Sequence, residues 1–439
     1  MGFITDKQTL EDLNILGSNH SISAIYNLAQ TKGGALLLEE MFKYPLDSFE
    51  KIENRVRIIK FFYQKEINFP FDSGIFNSVE YYLSNTDTRT QINAEESKAL
   101  HVKLQRLVKT DNEYQQQYNG IVGLISIINT LKKFLIENKS ELLQLNVNEI
   151  KAVEEIINGE EFLFTEEEKD KKKIPIERIS LYDKKFRYDY RGKVLKILSF
   201  IYLIDVYISV AQIALKKGFC FPVAKQTEDN TLSIKGLFHP LLTNPVPNTV
   251  NIDDKNNIIF LTGANMAGKS TFMKSFGIAI YLAHLGFPVP ATEMTFSVRN
   301  GMYSTINLPD NINQGYSHFY AEVLRLKKVA ETINHCGNII VIFDELFRGT
   351  NVKDAYDATI AITEAFASHK NSIFIISTHI IESGEILKDR CDNIRFLYLP
   401  TIMENNGTTS YPYTIEEGIT CDRHGMMIIN NEGILDILA

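Results

Sequence analysis

The sequence predicts two architectures in one chain, an α-helical N-terminal half and an α/β C-terminal half. Three observations carry this. Apolar residues in 1–218 recur at helical spacing. From about residue 231, short β-prone runs alternate with helices, at 258–262, 338–343 and 372–377. Between the first run and its helix lies Gly263-x-x-x-x-Gly268-Lys269-Ser270, the spacing of a phosphate-binding loop. The polar stretch Thr227-Glu228-Asp229-Asn230 marks the change, dividing the chain into 1–230 and 231–439.

In the N-terminal half, Ile22, Ile25, Tyr26, Leu28 and Ala29 make a first apolar face, and Ile52, Val56, Ile59 and Tyr63 a second. Val122, Leu124, Ile127, Ile128 and Leu131 make another. Plain helix packing accounts for all three. The most apolar stretch, 194–215, is interrupted by Lys196, Asp205 and Gln212, which favours a buried helix over a membrane span. The start, MGFITDKQTL, lacks the cationic-then-apolar order of a signal peptide. Cys220, Cys336, Cys391 and Cys421 are scattered, suggesting neither a zinc site nor a disulfide framework. A cytoplasmic protein with no membrane partner is expected.

Net charge is −8, so a uniformly basic nucleic-acid coat is excluded, though not a local patch. One candidate patch exists. Residues 169–196 carry 11 basic and 4 acidic side chains with Tyr182, Phe186, Tyr188 and Tyr190 interleaved. Lys171, Lys172, Lys173, Lys184, Lys185, Arg187 and Arg191 are candidates for DNA phosphates, and Tyr188 or Tyr190 for an unpaired base. The competing reading is a solvated linker neutralised by Glu166, Glu167 and Glu168.

The C-terminal half carries the chemistry. Ile258-Ile259-Phe260-Leu261 reads as a strand, and Phe272, Phe276, Ala279, Ile280 and Ala283 as one face of a helix. Strand, glycine loop and helix form the context a phosphate loop needs. Gly263 and Gly268 let backbone N–H groups close on phosphate oxygens, Lys269 brings positive charge to the β/γ-phosphates, and Ser270 can ligate Mg²⁺. Ile339 to Phe343 is an apolar strand ending in Asp344 and Glu345. The first suits a role on Mg²⁺ and the second suits polarising the attacking water. Ile373 to Ser377 leads to Thr378-His379, where the histidine can contact the γ-phosphate or that water.

These motifs resemble those of the MutS family. The loop TGANMAGKST, with its Asn265-Met266 pair and Thr271, is similar to the family's phosphate loop. Asp344-Glu345-x-x-Arg348-Gly349-Thr350 resembles its acidic strand and following loop. Asn313-Gln314-Gly315-Tyr316-Ser317-His318-Phe319-x-x-Glu322 resembles its Gly-x-Ser-x-Phe-x-x-Glu signature, which implies that Ser317 completes the active site of the other subunit in a homodimer. Phe238-His239-Pro240 resembles the opening of its ATPase domain, and Asn248 stands where the family reads adenine. Tyr413-x-x-Glu416-Glu417-Gly418 and Gly425-Met426 resemble its terminal strand and adenine-side segment. In the N-terminal half, Phe3-Ile4-x-Asp6-x-x-Thr9-x-x-x-Leu13, Thr31-x-Gly33-Gly34-x-x-Leu37 and Tyr44-Pro45-Leu46 resemble the family's core, or lever, domain. The chain departs from the family at Ala264, Ala267, Pro245, Asn351-Val352 and Phe347, the last standing for a glycine.

The resemblance implies a helical lever domain plus a P-loop ATPase domain of the ABC/MutS type. It implies ATP and Mg²⁺ as ligands, and Glu345, His379, Lys269 and Ser317 as catalytic. It implies DNA, mismatched or branched, as partner, with other repair proteins besides. The mismatch-reading wedge domain, the full β-rich clamp and the helical dimerisation tail find no room in the sequence. The rival expectation is an ATP-switched dimeric interaction module that does not touch DNA. A transporter-type ATPase fits the Asn-Met loop less well.

Overall fold

A computed structural model describes residues 2–17, 19–92, 108–145, 148–169, 171, 173–227, 230–253, 255–306, 318–347, 349–403, 409–420 and 437. The chain forms two compact units: Met1–Tyr26, Glu39–Tyr63 and Val210–Ala439 in one, Asn27–Leu38 and Gln64–Ser209 in the other. The compact units thus do not follow the compositional line at 230/231, because N-terminal segments join the sheet-bearing unit.

The second unit is helical. Glu113–Glu137, within the helix Val108–Glu137, and Arg191–Lys217 are long and apolar enough to cross a membrane, and most of each apolar stretch is buried within the protein. Asp205 sits in the second of these and is buried. It accepts hydrogen bonds from Gln30 N (2.9 Å), Thr31 N (2.8 Å) and Thr31 Oγ1 (2.7 Å), and Thr31 Oγ1 in turn accepts from Gly34 N (2.9 Å). An acid in an apolar run is tolerated here because it satisfies the N–H groups that open the helix Lys32–Lys43. The face read from Ile22 to Ala29 is shorter than expected. The helix ends at Tyr26, and Leu28 N is taken by Ser209 Oγ at 2.7 Å.

The basic segment corrects the sequence reading. Helix Ile176–Lys184 continues through a single wide (π) turn, Lys185–Asp189, into Arg191–Lys217, so it is not a linker. Tyr182 and Phe186 are core, and Tyr188 and Tyr190 are half-buried. The Tyr182 ring stacks on Phe164 at 4.2 Å, Phe186 packs on Phe162 and Phe164, and Tyr188 donates to Asp87 O at 3.2 Å. Arg187, expected at a DNA phosphate, is 2% exposed. Its Nε and Nη2 donate to the two oxygens of Asp183 (2.6 and 2.7 Å), and Nη1 donates to Thr90 Oγ1 (2.9 Å). Tyr82 OH and Ile92 N complete the shell of Asp183. A spacing of four on a helix placed two opposite charges on one inward face, and only the packed neighbours decide that they face in.

The first unit is built on a six-stranded sheet. In chain order the strands are β1 (Val223–Lys225), β2 (Leu232–Leu237), β3 (Asn248–Ile252), β4 (Ile258–Gly263), β5 (Glu293–Ser297), β6 (Gly301–Thr305), β7 (Ile339–Asp344), β8 (Ile373–Ser377), β9 (Ile394–Leu399), β10 (Ile402–Met403), β11 (Thr409–Ser410) and β12 (Glu416–Glu417). The main sheet runs β12-β9-β4-β8-β7-β6, parallel except for β12. A smaller sheet runs β1-β5-β2-β3. The residues of β4 are buried throughout, as a parallel strand covered on both faces requires. The helix Lys269–His284 follows, and Phe272, Phe276, Ala279, Ile280 and Ala283 are all buried as their spacing predicts.

Arg187→Ala is expected to destabilise the protein by about 3–5 kcal/mol, because it leaves the Asp183 carboxylate buried without its cation. The exposed Lys184→Ala should change stability by under about 0.5 kcal/mol. Urea or thermal unfolding followed by circular dichroism reads both, and equal midpoints for the two variants would overturn the assignment.

Candidate functional site

Four neighbouring parallel strands end together, and the site lies at their carboxyl ends. Leu261 of β4 is level with Ser377 of β8, Ser377 with Asp344 of β7, and Gly263 with Leu399 of β9. Cross-strand hydrogen bonds continue past the strands, from Glu345 N to Ser377 O (2.9 Å) and Thr378 N to Leu261 O (3.3 Å). The loop 263–268, the two acids and His379 are therefore delivered to one edge by register.

Within the loop, Gly268 has φ 103° and Gly263 φ 149°, both in the region that favours glycine. A Cβ on Gly268 would come 3.1 Å from the Tyr413 ring. Met266 adopts φ 70° and is 75% exposed. Lys269 opens the following helix and is buried, with Nζ donating to Gly263 O (2.8 Å) and Ala264 O (3.2 Å). Burial pushes its pKa below the usual lysine value, against the pull of the Asp344 and Glu345 carboxylates.

Ser270 Oγ donates to Asp344 Oδ2 at 2.6 Å. Asp344 Oδ1 is buried and accepts no hydrogen bond. Burial pushes the Asp344 pKa up, although the Ser270 and Ser377 hydroxyls favour the charge; the Glu345 charge raises it further and Lys269 lowers it. Glu345 takes φ 52° and its Oε1 lies 2.5 Å from His379 Nε2. Phe347, where the resemblance has glycine, takes φ 65°, and its ring is buried 5.9 Å from that of Phe319.

A cavity of about 550 Å³ opens beside the loop, lined by Asn265, Met266, Gly268, Lys269, Ser270, Thr271 and Glu345 among others. The lining also includes Phe238, His239, Pro245, Val246, Asn248 and Tyr413. Asn248 has both ends of its amide engaged: Nδ2 donates to Tyr413 O (2.9 Å) and Oδ1 accepts from Ile415 N (2.8 Å). It ties the 413–415 segment to β3, which holds the Tyr413 ring over the glycine loop. The sequence named the Tyr413 segment but not Tyr413 as a site residue. Its signal there was only a tyrosine near two glutamates, with no spacing to Gly268.

The structure thus brings together Gly263, Asn265, Met266, Gly268, Lys269, Ser270, Thr271, Asp344, Glu345, His379 and Asn248. Ser317, Arg348, Gly425, Met426 and Lys172 lie outside the described residues. Of the remaining DNA candidates, Lys171 pairs with Glu168 (3.2 Å), Lys185 covers the Phe164 ring (4.6 Å) and Arg191 donates weakly to Leu83 O (3.4 Å). Lys173 and Lys184 are exposed.

Residues 259–436 match the family model for MutS domain V. The chain is similar to proteins named DNA mismatch repair protein MutS. Over 311 residues it is 28% identical to that of Fusobacterium nucleatum, covering 65% of this chain and 34% of the relative. Over 359 residues it is 26% identical to that of Pseudothermotoga lettingae, covering 76% and 44%. Over 241 residues it is 28% identical to that of Leuconostoc mesenteroides, covering 54% and 28%. The chain therefore spans less than half the length of these curated relatives.

Asn248→Ala is expected to release the 413–415 segment. The Ile415 amide, whose partner is lost, should exchange with deuterium about tenfold faster or more, while the β4 amides keep their protection. Unchanged exchange at Ile415 would show that β12 alone holds the segment.

Proposed function

We propose that this chain, whose residues 259–436 match MutS domain V, is a MutS-family protein that binds and hydrolyses ATP and uses the cycle in DNA repair or a related control of DNA structure. The observation that carries this reading is the register-aligned convergence of the Gly263–Ser270 loop, Asp344, Glu345 and His379 at one edge of the sheet, where the loop and Glu345 line a cavity and Asp344 and His379 bond to Ser270 and Glu345.

The residues fit ATP with Mg²⁺. The loop offers glycines at positive φ and the N-terminus of a 16-residue helix, both suited to phosphate. The orphaned Asp344 Oδ1 and the Ser270 hydroxyl are a hard-oxygen donor pair for Mg²⁺. The bound metal would supply charge neutralisation at the phosphates. Lys269 adds a fixed positive charge that burial makes more effective. Tyr413 and Pro245 line the same cavity and are suited to packing against a base. Glu345 is suited to orienting a water and accepting its proton, and His379, bonded to Oε1, aims that carboxylate.

The composite site, with Ser317 acting across a homodimer, remains part of the proposal, as does DNA contact. One observation favours a second reading, an ATP-switched module that does not touch DNA. Four of the basic segment's eleven cations are paired within its own unit, through Asp183–Arg187, Glu168–Lys171, Glu168–Arg178 and Glu161–Lys193. Titrating homoduplex, mismatched and branched DNA with and without ATP separates the two, and failure to bind any of them selects the second.

Lys269→Ala should lose at least about tenfold in ATP affinity, since charged hydrogen bonds contribute roughly 1.5–3 kcal/mol each. Glu345→Gln should keep its affinity and slow turnover by about a hundredfold or more. Calorimetry and phosphate release measure the pair; a Glu345→Gln variant at the parent rate would remove Glu345 from its role. Mixing Lys269→Ala with Ser317→Ala chains should restore turnover that neither has alone, because one site of the mixed dimer then holds both residues intact.

A further inference from the structure

Asn248, the side chain expected to read adenine, is already committed to the protein's own backbone. Its Nδ2 donates to Tyr413 O (2.9 Å) and Val246 O (3.3 Å), and its Oδ1 accepts from Ile415 N (2.8 Å). A carboxamide has two donor hydrogens and two acceptor lone pairs. Both hydrogens are therefore used and one lone pair is left. The partners fix which way the amide points, since the two carbonyls can only accept and the Ile415 amide can only donate.

Adenine and guanine differ at the base edge. Adenine has an amino donor at C6 and a bare acceptor at N1, whereas guanine has an acceptor at C6 with donors at N1 and the 2-amino group. A carboxamide that reads adenine donates to a ring nitrogen and accepts from the 6-amino group together. Asn248 has no hydrogen left for the first half of that pair. Its remaining lone pair can accept from the 6-amino group of adenine, and equally from N1–H or the 2-amino group of guanine.

The other described side chains of the lining do not restore the distinction. His239 Nδ1 accepts from Leu241 N (3.4 Å), which leaves the proton of the neutral ring on Nε2, and burial beside Lys274 lowers its pKa. Such a donor finds N7 or N3 on either purine. Ser275 Oγ is used on Thr271 O (2.7 Å). Thr243 and Asn244 are exposed, so water competes for their hydrogen bonds. Phe238, Leu242, Pro245, Val246 and Tyr413 supply mostly apolar surface. Packing on a ring face tolerates a change of base, because every base has a π-face.

We propose that this site binds GTP as readily as ATP: the base is held by its faces rather than read at its edge, and Asn248 ties the 413–415 segment to β3 instead of selecting adenine. The inference rests on the nucleotide-site reading above and widens its ligand class to purine nucleoside triphosphates.

Calorimetric titration of the full-length chain with ATP and with GTP, each with Mg²⁺, tests it. The two Kd values should lie within about tenfold of each other, and GTP should displace bound ATP completely. A site that hydrogen-bonds a defining group of its ligand would instead reject the wrong purine by about 10⁴-fold. A preference for ATP beyond about tenfold, or GTP binding that leaves ATP in place, would overturn the proposal. Asn248→Ala supplies a second measurement. It should change ATP and GTP affinity by the same factor, because its effect runs through the released 413–415 segment. A loss confined to ATP would show Asn248 reading adenine and overturn the assignment. If neither nucleotide binds the parent chain, the nucleotide-site reading falls and this inference with it. If ATP binds and GTP does not, only the inference falls. Should Asn248→Ala not fold, the comparison on the parent chain decides alone.

Discussion

The candidate site depends on strand register. Its chemical groups come from segments more than a hundred residues apart, and nothing local brings them together. Parallel pairing of β4 with β8 and β9, and of β8 with β7, makes Leu261, Leu397, Ser377 and Asp344 level with one another, with Gly263 and Leu399 two residues further on. A slip of one residue in β7 would turn Asp344 to the other face of the sheet and withdraw it from Ser270. The continuous apolar core under these strands, including Phe260, Val341, Phe343, Phe374 and Ile376, holds that register.

Electrostatics adds a second constraint. Lys269, Asp344 and Glu345 are close enough that each alters the cost of charging another, and burial works against both Lys269 and Asp344. Ser270 and His379 are tied to the two acids. The arrangement is a set of mutually dependent charges, so removing any one changes the protonation of its neighbours as well as its own contacts. The positive φ of Glu345 and Phe347 belongs to the same turn, which leaves β7 sharply enough to aim Glu345 at His379.

What the sequence made legible was short-range. The loop 263–270, the acidic end of β7 and the Thr378-His379 end of β8 are contiguous patterns whose strands read correctly to within a residue. What it concealed was long-range. Arg187 looked like part of a basic run because its partners, Asp183 apart, come from around Thr90, nearly a hundred residues earlier. Tyr413 meets Gly268 only through the β3 residue Asn248. The face of Ile22 to Ala29 broke at Tyr26 because Ser209 captures the chain, a competitor with no mark in the local spacing. Asp12 carried no sequence signal, because its partner Ser304 lies 292 positions away.

The helix Lys7–Asp12, whose Thr9 Oγ1 accepts from Ser304 N at the end of β6, also bears on how the chain reaches its fold. Thr9 and Ser304 are separated by 295 positions. At ordinary rates of synthesis, the N-terminal helix emerges roughly 15–60 s before the strand it binds. At six residues it is far too short to hold a helical shape by itself in water. During that interval Thr9, Asp12 and the apolar Phe3 and Leu13 have no native partners, and the main sheet lacks the Ile4 edge that covers β6. The Thr9–Ser304 contact therefore waits for sequence made 295 positions later rather than for local folding speed.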